Sequence, residues 1–481
     1  MTKTITIAPV TRLEGHAKVV IELNDEGNVA EARMQTVELR GFEKFCVGRP
    51  VEEMPRIVTS ICGVCPWSHH LASAKANDAV FGVTPPPTGV MLRDLCNSVA
   101  FTEEHILHFY FLAGADFVMG PDADYSVRNV FGIAQANPEL GARVVRCRHL
   151  GAQMLHIISG KSIHPVTAVP GGFSKPLTET ERQKLLPMAE EVLEFAKWTI
   201  AFAKENIFPK YLDVVKSLGV IETGFLGTVG PDGSLNCYDG KLRLMKTDGT
   251  YTDFNDDQYL DFISEKILPW SYMKFPYAKS WGEGFDMDFN APKGIYRTNT
   301  LARINVCDNI STPLAQAELE AFRSMFGRPA QLTLLYHWAR LIELLHHAEH
   351  ALEVLNDPAI TNTETRVEVT PRAARGVGCV EAPRGTLIHD YTTDDKGMLT
   401  KVNLIVGTTH NNGPINMSVK QAATSLITNG KYDEGILNQV EMAIRAYDPC
   451  LSCATHNMDG SIAVQVEIVD HEGNILDRYK N

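Results

Sequence analysis

Four cysteines carry the most specific chemistry in this sequence, and they come as two pairs. "ICGVCPWSHH" places Cys62 and Cys65 at CxxC spacing with His69 following, and "DPCLSCATH" places Cys450 and Cys453 at the same spacing with His456 following. That spacing lets two thiolates from one turn of chain converge on one metal, so two such pairs make a four-sulfur site. A structural zinc, a redox dithiol and an iron–sulfur cluster all use such pairs. Zinc knots keep their pairs close together within a small module. These pairs stand near opposite ends of the chain, so zinc here would be a clasp between ends. A thioredoxin-type dithiol needs a βαβ setting, and none surrounds either pair. Spacing alone favours a metal and leaves its identity open.

Other candidates carry less. Cys46, Cys96, Cys147, Cys237, Cys307 and Cys379 stand alone and read as small buried apolar residues. In "LLHHAEHALEVL", His346, Glu349 and His350 follow the HxxEH order of some zinc-protease helices. Leu334, Trp338, Leu341, Leu345 and Leu352 form an apolar stripe along the same stretch, with the two histidines one turn apart beside it. No partner carboxylate motif follows, so the stretch reads as an amphipathic packing helix. "RGVGCVEAPRG" has neither the spacing nor the strand–helix setting of a dinucleotide loop, and no Walker loop is present.

The elements that must position these residues follow from the patterning. At 481 residues, 44% apolar and 21% charged, the chain has ample material for a large core. "KTITIAPVTRLEGHAKVVIELNDEGNVAEARMQTVEL" alternates around a DEGN turn and predicts an N-terminal β-hairpin or small sheet. Helical periodicity runs from about 54 to 215 and again over 312–357, with a last helix near 433–447. Residues 220–300 are rich in Gly, Asp, Tyr and Trp and read as a β-containing insertion; short strands follow residue 380. "VVIELNDEGNVAEARM" is echoed by "VQVEIVDHEGNILDRY" near the C-terminus, which predicts two strand–turn–strand units of similar composition. No linker divides the chain. The expected fold class is α+β, a single large, mainly helical domain.

Net charge is −13, from 45 basic and 58 acidic residues, with no basic stripe, which argues against nucleic acid or an anionic membrane as partner. No apolar run reaches the roughly eighteen residues of a membrane span. Arg12 and Glu14 fall where a signal peptide needs an apolar core, so a cytoplasmic location is expected.

The paired motifs CGVCxxxH and DPCxxCxxH, with "TRLEGH" at 11–16, "RGFE" at 40–43, "GKSIHPVTAVPGG" at 160–172, "EAPRG" at 381–385 and "VGTTHNN" at 406–412, together resemble the large, catalytic subunit of [NiFe] hydrogenases. The matches span residues 5–456 in the family's order, and the variant "DPCLSCATH" is most similar to the cytoplasmic F420-non-reducing (viologen-reducing) branch, then to the NAD-reducing one. The resemblance implies reversible heterolytic cleavage of H2 at a buried Ni–Fe centre whose iron carries CO and two cyanides. It implies Cys62 and Cys450 as terminal thiolates on nickel, and Cys65 and Cys453 as bridges to iron. The proton would pass to Cys450 and then to Glu14. Arg384 and Pro383 would wall the centre, Arg384 and Thr408 facing the cyanides, while His69 would donate to a bridging sulfur. Glu104 stands where exported relatives usually have Asp, a departure that leaves its contact to Arg384 open.

The resemblance further implies Mg2+ held by Glu43, the carbonyl of Leu404 and His456. Residues 1–456 would be the mature chain, and 457–481 an extension removed by a maturation endopeptidase after nickel-insertion proteins have acted; Asn457 departs from the small apolar residue many relatives have there. No further cysteine cluster exists to relay electrons. The resemblance therefore implies a small iron–sulfur subunit, with a flavin, heterodisulfide-reductase or NAD-linked partner beyond it. Two readings stand against it: a quinone-binding scaffold like the related complex I subunit, which lacks the four cysteines, and a zinc-clasped structural protein.

Overall fold

The structure, a computed structural model, describes residues 3–455, 465–469 and 475–480. Strands Lys3–Ile7, Ala17–Leu23 and Val29–Thr36 form an antiparallel sheet in sequence order, one strand more than a hairpin. In Ala17–Leu23 the alternate residues Ala17, Val19, Ile21 and Leu23 are buried, the period-2 pattern of a sheet with one face on a core. That sheet packs on helix Asn412–Leu426, where Asn416 Oδ1 accepts from the Met34 backbone at 2.8 Å. No sequence period marks this helix: its first turns, "NGPINMSV", are buried on every side and carry a Gly and a Pro, so it has no amphipathic stripe.

The helical body is built from Pro66–Phe81, Pro87–Ile106, Pro138–Ser159, Glu179–Asn206 and Tyr336–Asn356. Three of them begin with Pro, whose missing N–H costs nothing in a first turn. The Glu179 helix starts on a capping box between Thr178 and Glu181. Pro66–Phe81 is buried almost all round and runs at the centre of the molecule. It lies against an antiparallel sheet of strands Arg375–Ala382, Gly385–Thr393 and Leu399–Ile405. The contact explains "RGVGC": a Cβ on Gly376 or Gly378 would lie 2.4 or 2.2 Å from the carbonyl oxygen of Ala76 or Ala72. These glycines serve close helix–strand approach.

The Tyr336–Asn356 helix differs from its expected amphipathic form. Leu334, Trp338, Leu341 and Leu345 are buried as the stripe predicts, but so are Arg340, Glu343, His346, His347 and Glu349 on its other faces. Glu349 caps helix Pro313–Phe326, its two oxygens accepting from Leu314 N at 3.0 Å and Ala315 N at 2.9 Å. His346 meets Thr312 and His350 meets Asp94. The HxxEH residues thus have structural partners, and the metal-ligating group found among the described residues is the four cysteines.

Residues 220–300 form the expected irregular β region, including Gly224–Val229, Lys241–Met245 and Tyr251–Phe254 in one sheet. Near the C-terminus, Gln465–Val469 pairs with Ile475–Lys480. Its register slips between Ile468 and Val469, as the Ala17–Leu23/Val29–Thr36 pair slips between Glu22 and Leu23, so the two sequence echoes share a bulge as well as a composition. No helix of the described residues is long and apolar enough to cross a membrane.

Candidate metal centre

The two CxxC turns meet in the interior. Cys62 closes a short helical run and Cys65 precedes the Pro66 helix, so their loop is pinned on both sides. Val64 N–H lies 3.2 Å and Cys65 N–H 3.4 Å from Cys62 Sγ, so the turn itself hydrogen-bonds that sulfur. Cys450 and Cys453 follow helix Glu434–Ala446. Cys62 Sγ and Cys450 Sγ are 3.3 Å apart, Cys65 and Cys453 3.3 Å, Cys450 and Cys453 2.9 Å, and Cys65 and Cys450 3.9 Å. All four sulfurs lie within 4.8 Å of one another, and all are buried. None forms a disulfide. Burial pushes the Cys450 and Cys453 thiols well up, whereas hydrogen bonds from Cys450, Cys453 and Cys65 pull Cys62 well down. Sulfurs this close and this deeply buried suit a soft metal centre that displaces the thiol protons.

Glu14 reaches the cluster from the N-terminal sheet. A parallel bridge joins Glu14 to Cys450, and Leu451 N donates to Glu14 O at 3.0 Å. Its side-chain Oε2 accepts from Cys450 Sγ at 3.0 Å and from Ser452 N at 3.1 Å. Gly15, at φ +83°, permits the approach: a Cβ there would lie 2.8 Å from Leu451 Cβ. The preceding Arg12 is tied to Asp116 and to the carbonyl of Leu112, in a π-helical stretch Leu107–Ala113 that continues the Pro87 helix. Further out, Ser452 Oγ donates to Glu38 Oε2 at 3.1 Å, and Glu38 Oε1 meets the exposed His16 at 2.5 Å.

Pro383 and Arg384 form the two-residue turn between strands Arg375–Ala382 and Gly385–Thr393. The Arg384 guanidinium is buried, bonded to the Glu104 carboxylate and 3.2 Å from Asp448. The longer Glu104 therefore makes the contact expected of the shorter Asp of exported relatives. Burial pushes Glu104 up to about 8. For Arg384 burial works downward, but the charges of Asp448 and Glu104, with Cys450 and Cys65, raise it well above its ordinary value. Its Nε is a buried donor with no hydrogen-bond partner among the described residues, while its second terminal nitrogen is the one that faces Asp448. Such a donor beside four buried sulfurs suits a polar, electron-rich ligand on a metal. Thr408 Oγ1 accepts from Cys450 N at 2.9 Å, which leaves its own proton to give.

His69 is fully buried; Nδ1 lies 3.2 Å from His389 Nε2, and Nε2 has no partner among the described residues. Glu43 Oε1 accepts from Leu404 N at 2.8 Å, and Lys274 stands 3.5 Å from it and 3.2 Å from Glu265. Glu265 Oε1 is a buried oxygen without a partner among the described residues. His456 lies outside the described residues. Lys274, Glu265, Glu38 and His389 carry no sequence motif or period, because each joins the site through contacts between distant segments; Asp448 opens the "DPCLSCATH" motif, but its pairing with Arg384 is visible only in the fold. A cavity of about 110 Å3, lined in part by Gly63, Val64, Trp67, Glu104 and Leu107, reaches the site between the first CxxC turn and Glu104.

Comparison with known proteins agrees with this geometry. A model of the nickel-dependent hydrogenase family matches residues 40–127 and 296–456. The chain is 46% identical to one chain of the vhu F420-non-reducing hydrogenase of Methanococcus voltae, over 88% of this chain and 98% of that one. It is 38% identical to the beta chain of the NAD-reducing hydrogenase HoxS of Cupriavidus necator, over 99% of each. Among solved structures, an NAD+-reducing [NiFe]-hydrogenase in the H2-reduced state superposes with a TM-score of 0.90 at 42% identity, covering 95% of this chain and 100% of that one.

Proposed function

Since the chain belongs to the nickel-dependent hydrogenase family, as its large, catalytic subunit, we propose that it splits H2 reversibly in the cytoplasm as part of an F420-non-reducing type of complex. The observation that carries the reading is the packing of four buried cysteine sulfurs against one carboxylate, Glu14, and one guanidinium, Arg384, whose Nε has no partner among the described residues. Cys62 and Cys450 would hold nickel alone, while Cys65 and Cys453 would be shared with an iron bearing CO and cyanide. When bound, that centre polarises H2 and takes up the two electrons of its cleavage into two protons.

The chain's own residues do the rest. Cys450 Sγ, 3.0 Å from Glu14 Oε2, is placed to receive a proton and pass it to that carboxylate, the geometry general acid–base transfer requires. Arg384, fixed by Glu104 and Asp448, would face a cyanide with its free Nε–H, with the Thr408 hydroxyl serving the other side. Pro383 closes the wall. Burial excludes water from the sulfurs, which strengthens each of these contacts.

A divalent cation, Mg2+, would be held by Glu43, the Leu404 carbonyl and His456; the unpartnered oxygen of Glu265 beside Lys274 supports a cation there. Electrons would leave through a small iron–sulfur subunit to a flavin, heterodisulfide-reductase or NAD-linked partner. Residues 457–481 would be the extension that a maturation endopeptidase removes once nickel-insertion proteins have finished.

Metal analysis and hydrogen uptake of the anaerobically purified complex test the reading. One nickel for each copy of this chain, iron in excess of nickel because the small subunit's clusters add to it, and H2-dependent reduction of a viologen are expected. Zinc in place of nickel, without hydrogen uptake, would overturn it.

A further inference from the structure

The Pro383–Arg384 turn is gripped from behind by a second guanidinium. Arg303, on helix Thr300–Val306, is fully buried. Its Nε and Nη2 form a fork on the two Glu343 oxygens, each bond at 2.7 Å. Nη1 donates to Glu381 Oε2 and to the Ala382 carbonyl, both at 2.8 Å, and Nη2 donates also to the Pro383 carbonyl at 3.0 Å. The three residues that precede Arg384 in "EAPRG" thus all end on one cation. Every N–H of that guanidinium is spent, so Arg303 has nothing to offer a ligand, unlike Arg384 with its free Nε.

Glu343 carries the grip across to the other anchor of Arg384. It stands on helix Tyr336–Asn356, and its Oε2 lies 3.0 Å from His105 Nε2. His105 follows Glu104 on helix Pro87–Ile106, and Glu104 is the carboxylate bonded to Arg384. One turn back on the same helix, the Phe101 ring lies 5.4 Å from Arg303 Cζ. The Arg303–Glu343 pair therefore touches the turn that carries Arg384 on one side and the helix that supplies its carboxylate on the other. A planar fork between two buried groups leaves little freedom in the separation of those elements.

We propose that Arg303 and Glu343 are positioning residues that set where the Arg384 guanidinium stands relative to the metal centre. The proposal rests on the reading of the site as a nickel–iron centre, and it adds a support behind the group that faces a cyanide.

The test uses infrared spectra of the metal-loaded complex, where cyanide bands report the hydrogen bonds the cyanides receive. Glu343→Gln keeps the volume and one acceptor but loses the charged fork, and Arg303→Lys keeps the charge but has too few donors for its acceptors. Both variants are expected to load nickel as wild type does and to shift the bands. Arg384→Lys supplies the reference. A pair that acts through the Arg384 fork has nothing to position once that fork is gone. Glu343→Gln added to Arg384→Lys is therefore expected to move the bands no further than Arg384→Lys alone. Arg93→Lys, which disturbs a buried ion pair with Asp78 instead, is the control for general disturbance.

Bands that keep their wild-type positions in the loaded single variants overturn this proposal alone. A further shift in the double variant overturns it too, because the disturbance then reaches the centre by another way; so does an Arg93→Lys shift as large as theirs. If neither single variant loads nickel while Arg93→Lys does, the pair serves assembly rather than position, and the proposal fails. A loaded wild-type enzyme without the bands overturns the site reading and this proposal together.

Discussion

Cys450 Sγ donates to Glu14 Oε2 across 3.0 Å, joining residues from opposite ends of the chain at the centre of the site. The backbone bridge between the same two residues, and the close approach that Gly15 allows, hold the carboxylate at that sulfur independently of any metal. The contact gives the first prediction. Glu14→Gln keeps an oxygen to accept from Ser452 N but cannot carry a proton. Hydrogen uptake should fall by about 10²- to 10⁴-fold, with nickel content unchanged, as metal analysis and uptake assays on the same preparation would show. Full uptake in the variant would place the proton route elsewhere.

Arg384 is bound on two sides by buried carboxylates, so its charge and its fork are separable. Arg384→Lys keeps charge but loses bidentate geometry, and turnover should drop at least about tenfold while nickel is retained. Arg384→Ala leaves Glu104 and Asp448 buried without their cation. Denaturant unfolding should then show a loss on the order of 3–5 kcal/mol.

Glu104 supplies a pH dependence. Its pKa is pushed up from 4.5 to about 8 in the folded chain, chiefly by burial. Between those values the folded state binds a proton that the unfolded state has released, so stability falls as pH rises through the window. The slope from this group is at most about 1.4 kcal/mol per pH unit. Glu104→Gln should flatten it, measured as unfolding free energy of the metal-free chain at a series of pH values. An unchanged slope would assign the dependence to other groups.

Glu349 tests the other histidine-rich element. It caps the Pro313–Phe326 helix with both oxygens. Glu349→Ala should cost about 1 kcal/mol of stability, within the range of lost helix caps, and leave nickel content and hydrogen uptake intact. Loss of a second metal in that variant would revive HxxEH as a ligand set.

Much of this site is legible in the sequence because its chemistry sits in short motifs. Cys62 and Cys65, Cys450 and Cys453, Glu14 and Arg384 each lie in a compact turn whose residue types announce themselves, and the structure brings all six together. The β-rich insertion and the long helices are equally visible as period and composition. Helix Asn412–Leu426 is not, because a segment buried on all sides has no polar face to contrast with its apolar one. The polar faces of Tyr336–Asn356 mislead for the complementary reason: Arg340, Glu343 and His346 look like solvent-facing residues but are buried. Burial partners such as Asp448 for Arg384, or His389 for His69, join segments far apart in sequence, and no local pattern encodes them.

The most direct measurement is an infrared spectrum of the purified complex before and after exposure to H2. Sharp CO and cyanide bands that shift when hydrogen is admitted, together with nickel at the four cysteines, are expected. A chain already ending at His456, with zinc bound and no such bands, would contradict it.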